Sequence, residues 1–274
     1  MTSPSAGVGD PPTHLLSPVE PLRHRPHARI RLVCFPHSGG TPAAFRDWVD
    51  GLAPQAEVWS VTLPGRASRS EEPFAREFEP LTAHVAEAIR QRVPVPFALF
   101  GHSLGATVAF EVARLLERAG MSPAHLIVSG RAAPDAAHPT TIPRKDAELL
   151  TRLDQVYGGI PDAIRAEPEM LNYLLTVIRA DLELSASYIF LPGPPLRVPV
   201  SALGGDSDPT VSVMQLCQWG DHTVGAFTRL IFPGAHFYLN EQQDAVIIAV
   251  RKILLTALTT SAATNRPEEL WSSE

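Results

Sequence analysis

From Ile30 onward the chain alternates short apolar runs with longer stretches whose apolar residues recur every three or four positions. Ile30-Arg31-Leu32-Val33-Cys34-Phe35, Glu57-Val58-Trp59-Ser60-Val61, Phe97-Ala98-Leu99-Phe100 and His125-Leu126-Ile127-Val128-Ser129-Gly130 have the length and residue types of strands. Residues 43–52, 78–92 and 106–119 between them carry helical spacing. Apolar strands alternating with amphipathic helices predict an α/β fold, its mostly parallel sheet covered by helices on both faces. The alternation breaks at about residues 141–190, which look helical, and resumes with the strand Val198-Pro199-Val200-Ser201-Ala202-Leu203. A helical insertion placed there predicts a lid over the strand ends, with a plain surface excursion as the alternative. A last strand, Phe227 to Phe232, leads to a closing helix over about 241–258. Residues 1–28 are rich in Pro, Ser and His without periodicity and predict a flexible leader. Residues 29–258 then form the domain, and the polar residues 259–274 a loose tail.

The chemistry concentrates where strands end. Gly101-His102-Ser103-Leu104-Gly105 follows an apolar strand and opens a helix, the strand–turn–helix setting that turns G-x-S-x-G into a nucleophile elbow. Ser103 is the candidate nucleophile, and the flanking glycines give clearance for a tight turn. A serine needs a base, and the base an orienting acid, in the chain order Ser, Asp or Glu, His. Of the ten histidines, His236 directly follows the last strand and is the candidate base. His14, His24 and His27 lie in the leader. His84 and His125 lie within predicted elements, His138 sits close after the fourth strand, and His222 is expected to be exposed. His102 neighbours the nucleophile and is expected to pack behind the elbow. For the acid, Asp208 in Gly204-Gly205-Asp206-Ser207-Asp208-Pro209 competes with Asp135, just past the fourth strand. Asp208 is favoured because the following proline stiffens its loop, and Asp206 is expected to shape that loop. Backbone amides of Leu104, after the nucleophile, and of Ser38, in His37-Ser38-Gly39-Gly40, are the candidate oxyanion donors.

Composition narrows the function. A net charge of −6 argues against a general nucleic-acid binder. Two cysteines without C-x-x-C spacing argue against a disulfide framework, no apolar run spans a bilayer, and no export signal opens the chain; these predict a cytoplasmic protein. No metal-ligand spacing, G-x-G-x-x-G or phosphate loop occurs, so no cofactor is expected. These residues support acyl transfer to water through an acyl-enzyme without separating esters, amides and thioesters.

A resemblance adds the substrate class. Phe35-Pro36-His37-Ser38-Gly39-Gly40, Leu63-Pro64-Gly65-Arg66, Leu99-Phe100-Gly101-His102-Ser103-Leu104-Gly105, Val128-Ser129-Gly130-Arg131, Arg179-Ala180-Asp181, Gly205-Asp206-Ser207-Asp208-Pro209 and Phe232-Pro233-Gly234-Ala235-His236-Phe237-Tyr238-Leu239 occur in that order. With them the chain, from about Ile30 to Leu258, resembles the stand-alone type II thioesterases of polyketide and nonribosomal peptide biosynthesis, which have the α/β-hydrolase fold. The resemblance implies removal of stalled or mis-primed acyl groups from the phosphopantetheine arm of acyl or peptidyl carrier proteins. It also implies that Ser103, Asp208 and His236 occupy the family's triad positions, and Ser38 and Leu104 its oxyanion positions. Relatives often carry Ala at the first and Met at the second, changes that leave backbone amides in place. Asp181 is a candidate for ordering the insertion. Arg66 and Arg69 are candidates for meeting an acidic carrier surface or phosphate, or else solvated loop arginines. Two other functions fit the same residues: a carboxylesterase or acyltransferase of small-molecule esters, and a non-catalytic scaffold that binds carrier proteins.

Overall fold

The computed structural model describes residues 17–136 and 142–264, with side chains to 259. In chain order the first elements are β1 (Val19–Pro21), β2 (Ile30–Phe35), α1 (Trp48–Gly51), β3 (Ala56–Val61), α2 (Phe78–Arg92), β4 (Phe97–His102), α3 (Leu104–Arg118) and β5 (Leu126–Ser129). Three helices follow, α4 (Asp146–Tyr157), α5 (Asp162–Arg165) and α6 (Pro168–Ser187). The chain then forms β6 (Val200–Gly205), α7 (Val213–Cys217), β7 (Phe227–Phe232), α8 (Tyr238–Glu241) and α9 (Gln243–Thr264).

The strands make one sheet in the order β1-β3-β2-β4-β5-β6-β7, parallel throughout except for β1. Strands β3, β4, β5 and β6 are buried at every position. That is why their sequences are near-continuous apolar runs with no polar alternation. One face packs on α2 and α3, with Val85, Ile89, Val108 and Val112 buried against Val33 and Leu99. The other packs on α1 and α9, with Trp48, Leu52, Val250 and Leu254 buried against Leu32 and Phe100. Helices α4 to α6 enclose a small core of their own, including Leu149, Leu175 and Leu182.

Three sequence expectations shift. The segment expected as a leader contains β1, in which the fully buried Val19 pairs with Val61. A three-residue strand with one buried apolar side chain has no periodicity to detect, and its order comes from a partner 42 positions away (61 − 19). The rest of that leader, residues 1–16 with His14, lies outside the described residues, as do 137–141 with His138 and the tail 265–274. The helix expected at 43–52 is a 3-10 turn at Pro42–Phe45, capped by Thr41, followed by the short α1. The closing helix α9 runs past the expected end at 258.

Candidate active site

Strand β2 has β3 on one side and β4 on the other, so the chain reverses its direction of progress across the sheet between β2 and β4. Connections leaving the carboxyl ends of these two strands diverge to opposite faces and open a crevice, the place where α/β sheets bind ligands. The loop after β2 holds His37 and Ser38, and the turn after β4 holds Ser103.

Ser103 has φ 54° and ψ −119°, a strained backbone for a residue with a Cβ. The strain is held in place because Ser103 N–H donates to Ser129 O at 2.8 Å and α3 begins at the next residue. Space is as tight as the motif implies. A Cβ on Gly101 would lie 2.2 Å from Gly105 O, and one on Gly105 2.1 Å from Phe35 O. Glycine at 105 therefore lets the first turn of α3 rest on the end of β2, setting the elbow against the His37–Gly40 loop. That loop is closed by Gly40 N–H donating to His37 O at 2.9 Å. Ser38, Ser103, Leu104 and His236 all line one cavity of about 290 Å³.

His236 arrives from the loop between β7 and α8. Its Nδ1 lies 2.9 Å from Asp208 Oδ2 and 3.0 Å from Thr210 Oγ1. Thr210 N–H and its hydroxyl both donate to Asp208 Oδ1, at 2.8 and 2.7 Å. With its proton given to Asp208, the threonine oxygen is an acceptor towards Nδ1. Two acceptors around one ring nitrogen fix the proton on Nδ1 and leave a lone pair on Nε2. That Nε2 is buried and has no hydrogen-bond partner among the described residues. Asp135 is engaged elsewhere, with its Oδ1 2.9 Å from His222 Nε2. His222, expected to be exposed, is buried, its ring edge-on to Phe110, Phe190 and Trp219. The structure thus brings Asp208, not Asp135, to His236.

The electrostatics follow from this packing. Burial alone would raise the Asp208 carboxyl, but the hydrogen bond and charge of His236 and both bonds from Thr210 outweigh it and hold the carboxyl below its usual value. His37 is lowered to about 4 by burial, by His236 and by Arg66. His102 is pushed well below the ordinary histidine value by burial, by His236 and by His37. Both rings flank His236 as neutral groups, so an imidazolium formed there meets no competing cation from them. His102 does sit behind the elbow. Its Nδ1 lies 2.9 Å from Ser129 Oγ, which in turn lies 2.6 Å from the Tyr238 hydroxyl.

The insertion roofs the cavity. Leu153 and Tyr157 of α4, and Ile178, Leu182 and Ser185 of α6, face it from above. Arg131, on the loop after β5, also lines it and donates to Ser185 Oγ at 3.3 Å. Arg66 and Arg69 differ from expectation. Both are buried, and neither is a solvated loop residue or free to meet a partner. Arg66 makes two bonds of 2.6 Å to Asp181 on α6, and Arg69 is held by Glu72 and Thr62 O. Asp206 shapes its loop by accepting from Gly234 N–H at 3.1 Å. Sequence reasoning missed Thr210 and Tyr238. An acidic residue followed two positions on by threonine, with proline between, is the local signal for the first. The Tyr238 contact spans 109 positions and has no local signal.

A model of the thioesterase domain matches residues 30–254. The thioesterase PikA5 of Streptomyces venezuelae is 38% identical over 79% of this chain and 78% of its own length. The gramicidin S biosynthesis protein GrsT of Aneurinibacillus migulanus is 34% identical over 80% of this chain and 87% of its own. Among solved structures, the type II thioesterase BorB from the borrelidin biosynthetic cluster superposes with a TM-score of 0.80 at 37% identity, covering 88% of this chain and 99% of that one.

Proposed function

Because the chain belongs to the thioesterase domain family, a thioester hydrolase of the serine type with the α/β-hydrolase fold, we propose that it frees acyl groups from the phosphopantetheine arm of acyl or peptidyl carrier proteins. Its task is then to clear stalled or mis-primed polyketide or nonribosomal peptide synthases. The observation that carries this reading is the state of His236: fixed on its Nδ1 side by Asp208, bare on its buried Nε2 side, in the cavity that Ser103 shares.

In this mechanism Nε2 of His236 accepts the hydroxyl proton of Ser103 as Oγ adds to the thioester carbonyl carbon. The carbonyl π electrons move to oxygen, and the amides of Ser38 and Leu104 receive the oxyanion; such donors act where charge develops. Collapse breaks the C–S bond, and the pantetheine thiolate takes the proton from His236. Water then repeats the sequence on the acyl-enzyme, with His236 as base, and releases the carboxylic acid and Ser103. Asp208 remains ionised and steadies the imidazolium. No hydrogen bond joins Ser103 Oγ to Nε2 in the free protein, and such bonds commonly tighten only in the substrate complex. The chemistry calls for no cofactor.

Helices α4 to α6 serve as the lid beneath which the arm reaches Ser103, and their apolar side chains at the cavity suit an acyl chain. No described helix is long and apolar enough to cross a membrane, and Cys34 and Cys217 are free; we place the enzyme in the cytoplasm with its synthases.

The test is hydrolysis of acyl-carrier and acyl-cysteamine thioesters beside matched oxygen esters. Ser103→Ala should lower kcat by about 10⁴- to 10⁶-fold. Unchanged turnover in that variant removes Ser103 as nucleophile, and a strong preference for oxygen esters makes the protein a carboxylesterase instead.

A further inference from the structure

We propose that Asp181, carried by α6, is a positioning residue for the oxyanion hole, and that through it the helical insertion sets the geometry of the reacting centre. The inference rests on the mechanism above, in which the Ser38 amide receives the oxyanion.

Asp181 Oδ2 accepts from Gly39 N–H at 2.7 Å, the amide that directly follows Ser38. The same oxygen accepts from Arg66 Nη1 at 2.6 Å, and Oδ1 from Arg66 Nη2 at 2.6 Å. Both side chains are 3% exposed, so this bidentate pair is screened little by solvent. Gly39 stands at φ +77°, and a Cβ there would lie 2.7 Å from Ile178 Cγ1, one turn before Asp181 on the same helix. Glycine thus answers two demands at this position: a left-handed backbone and contact with α6.

The loop is fixed from three directions. Its own turn closes through Gly40 N–H, Gly105 seats the elbow beneath it, and Asp181 ties its outer amide to the insertion. Of these three, the last comes from the helical insertion. Gly39 N–H lies in the Ser38–Gly39 peptide plane, which meets the plane carrying Ser38 N–H at the Ser38 Cα. With the former fixed by Asp181 and the turn closed by Gly40 N–H donating to His37 O, only the φ and ψ of Ser38 are left to orient its amide. Arg66 matters because its two bonds aim the carboxylate and balance its buried charge. Without an acceptor on α6, Gly39 N–H is left unpaired, the loop gains freedom, and the neighbouring amide no longer points at one place. A donor that must reorganise as charge develops stabilises the oxyanion less than a fixed one.

The test compares Asp181→Asn, Arg66→Met and the double variant Asp181→Leu with Arg66→Met. The double variant leaves no uncompensated buried charge, so it reports on the loop even if a single variant folds poorly. Three readouts are needed on an acyl-cysteamine thioester: kcat, KM, and inhibition by two analogues of that substrate. One analogue is a trifluoromethyl ketone, whose adduct with Ser103 places an oxyanion in the hole. The other is a thioether with a methylene for the carbonyl, which binds without forming one.

In the double variant kcat should fall by about 10²-fold, towards the loss seen when an oxyanion donor is removed outright, with KM within a few-fold. Affinity for the trifluoromethyl ketone should fall in step with kcat, and affinity for the thioether should hold. Arg66→Met, which keeps the Asp181–Gly39 bond, should lose less kcat than the double variant. Equal weakening of both analogues, or a folded double variant with wild-type kcat, overturns the proposal and assigns the pair to stability alone. An active Ser103→Ala protein would instead overturn the mechanism on which the proposal rests, so the two failures are told apart.

Discussion

Mild acid should destabilise this protein through histidines that fold without a proton. His125 is buried, with its Nε2 2.9 Å from Ser201 Oγ, and burial lowers it from 6.5 to about 4. His37 is lowered over the same range. A histidine of depressed pKa binds its proton in the unfolded chain before it does in the folded one. Its stabilising contribution is therefore complete above the unfolded value of 6.5 and is lost as pH falls towards the folded value of about 4. Between about pH 7 and pH 5 each such group removes roughly 2 kcal/mol, so this pair removes roughly 4 kcal/mol, a large part of an ordinary domain's stability. His102 acts in the same direction. Urea unfolding at about pH 7, 6 and 5, with slopes that stay constant, measures the loss. His125→Gln keeps a polar group for Ser201 but cannot take up the proton. It should cut the loss between pH 7 and pH 5 by roughly 2 kcal/mol, and other titrating groups cancel in the comparison. A variant and a wild type that lose equal stability over that interval would refute the assignment of a neutral, buried His125.

Two further outcomes follow from the site. Asp208→Asn should lower kcat by about 10⁴-fold, because the imidazole loses the partner that fixes its tautomer, whereas Asp135→Asn, whose carboxylate is paired with His222, should leave kcat within a few-fold; steady-state kinetics on one thioester compares them, and the reverse order would make Asp135 the acid. Gly105→Ala would place a Cβ 2.1 Å from Phe35 O, a backbone atom that cannot rotate away, so overpacking should destabilise by about 1–3 kcal/mol or more, read as a lowered Tm; a variant with the wild-type Tm would show that β2 and the elbow are less tightly seated than described.

What the sequence determined by itself is whatever has a local physical cause. Strands covered on both faces are near-continuously apolar, so β2 through β6 stand out as runs such as Leu126-Ile127-Val128. A serine at positive φ between strand and helix needs small neighbours, so Gly101 and Gly105 mark it. Asp208 and His236 are locatable because each lies just past a strand at the same sheet edge. Tertiary structure alone decided which charges meet. Arg66 and Asp181 are 115 positions apart, and His222 and Asp135 are 87. A charged residue in a polar loop gives the same local pattern whether it ends in water or buried against a counter-ion, so Arg66, Arg69 and His222 looked like surface groups. β1 is of the same kind, since its order comes from Val61 and not from its own three residues. Periodicity and turn sterics are written in neighbouring residues, whereas the pairing of buried polar groups depends on which distant loops the packed sheet brings face to face.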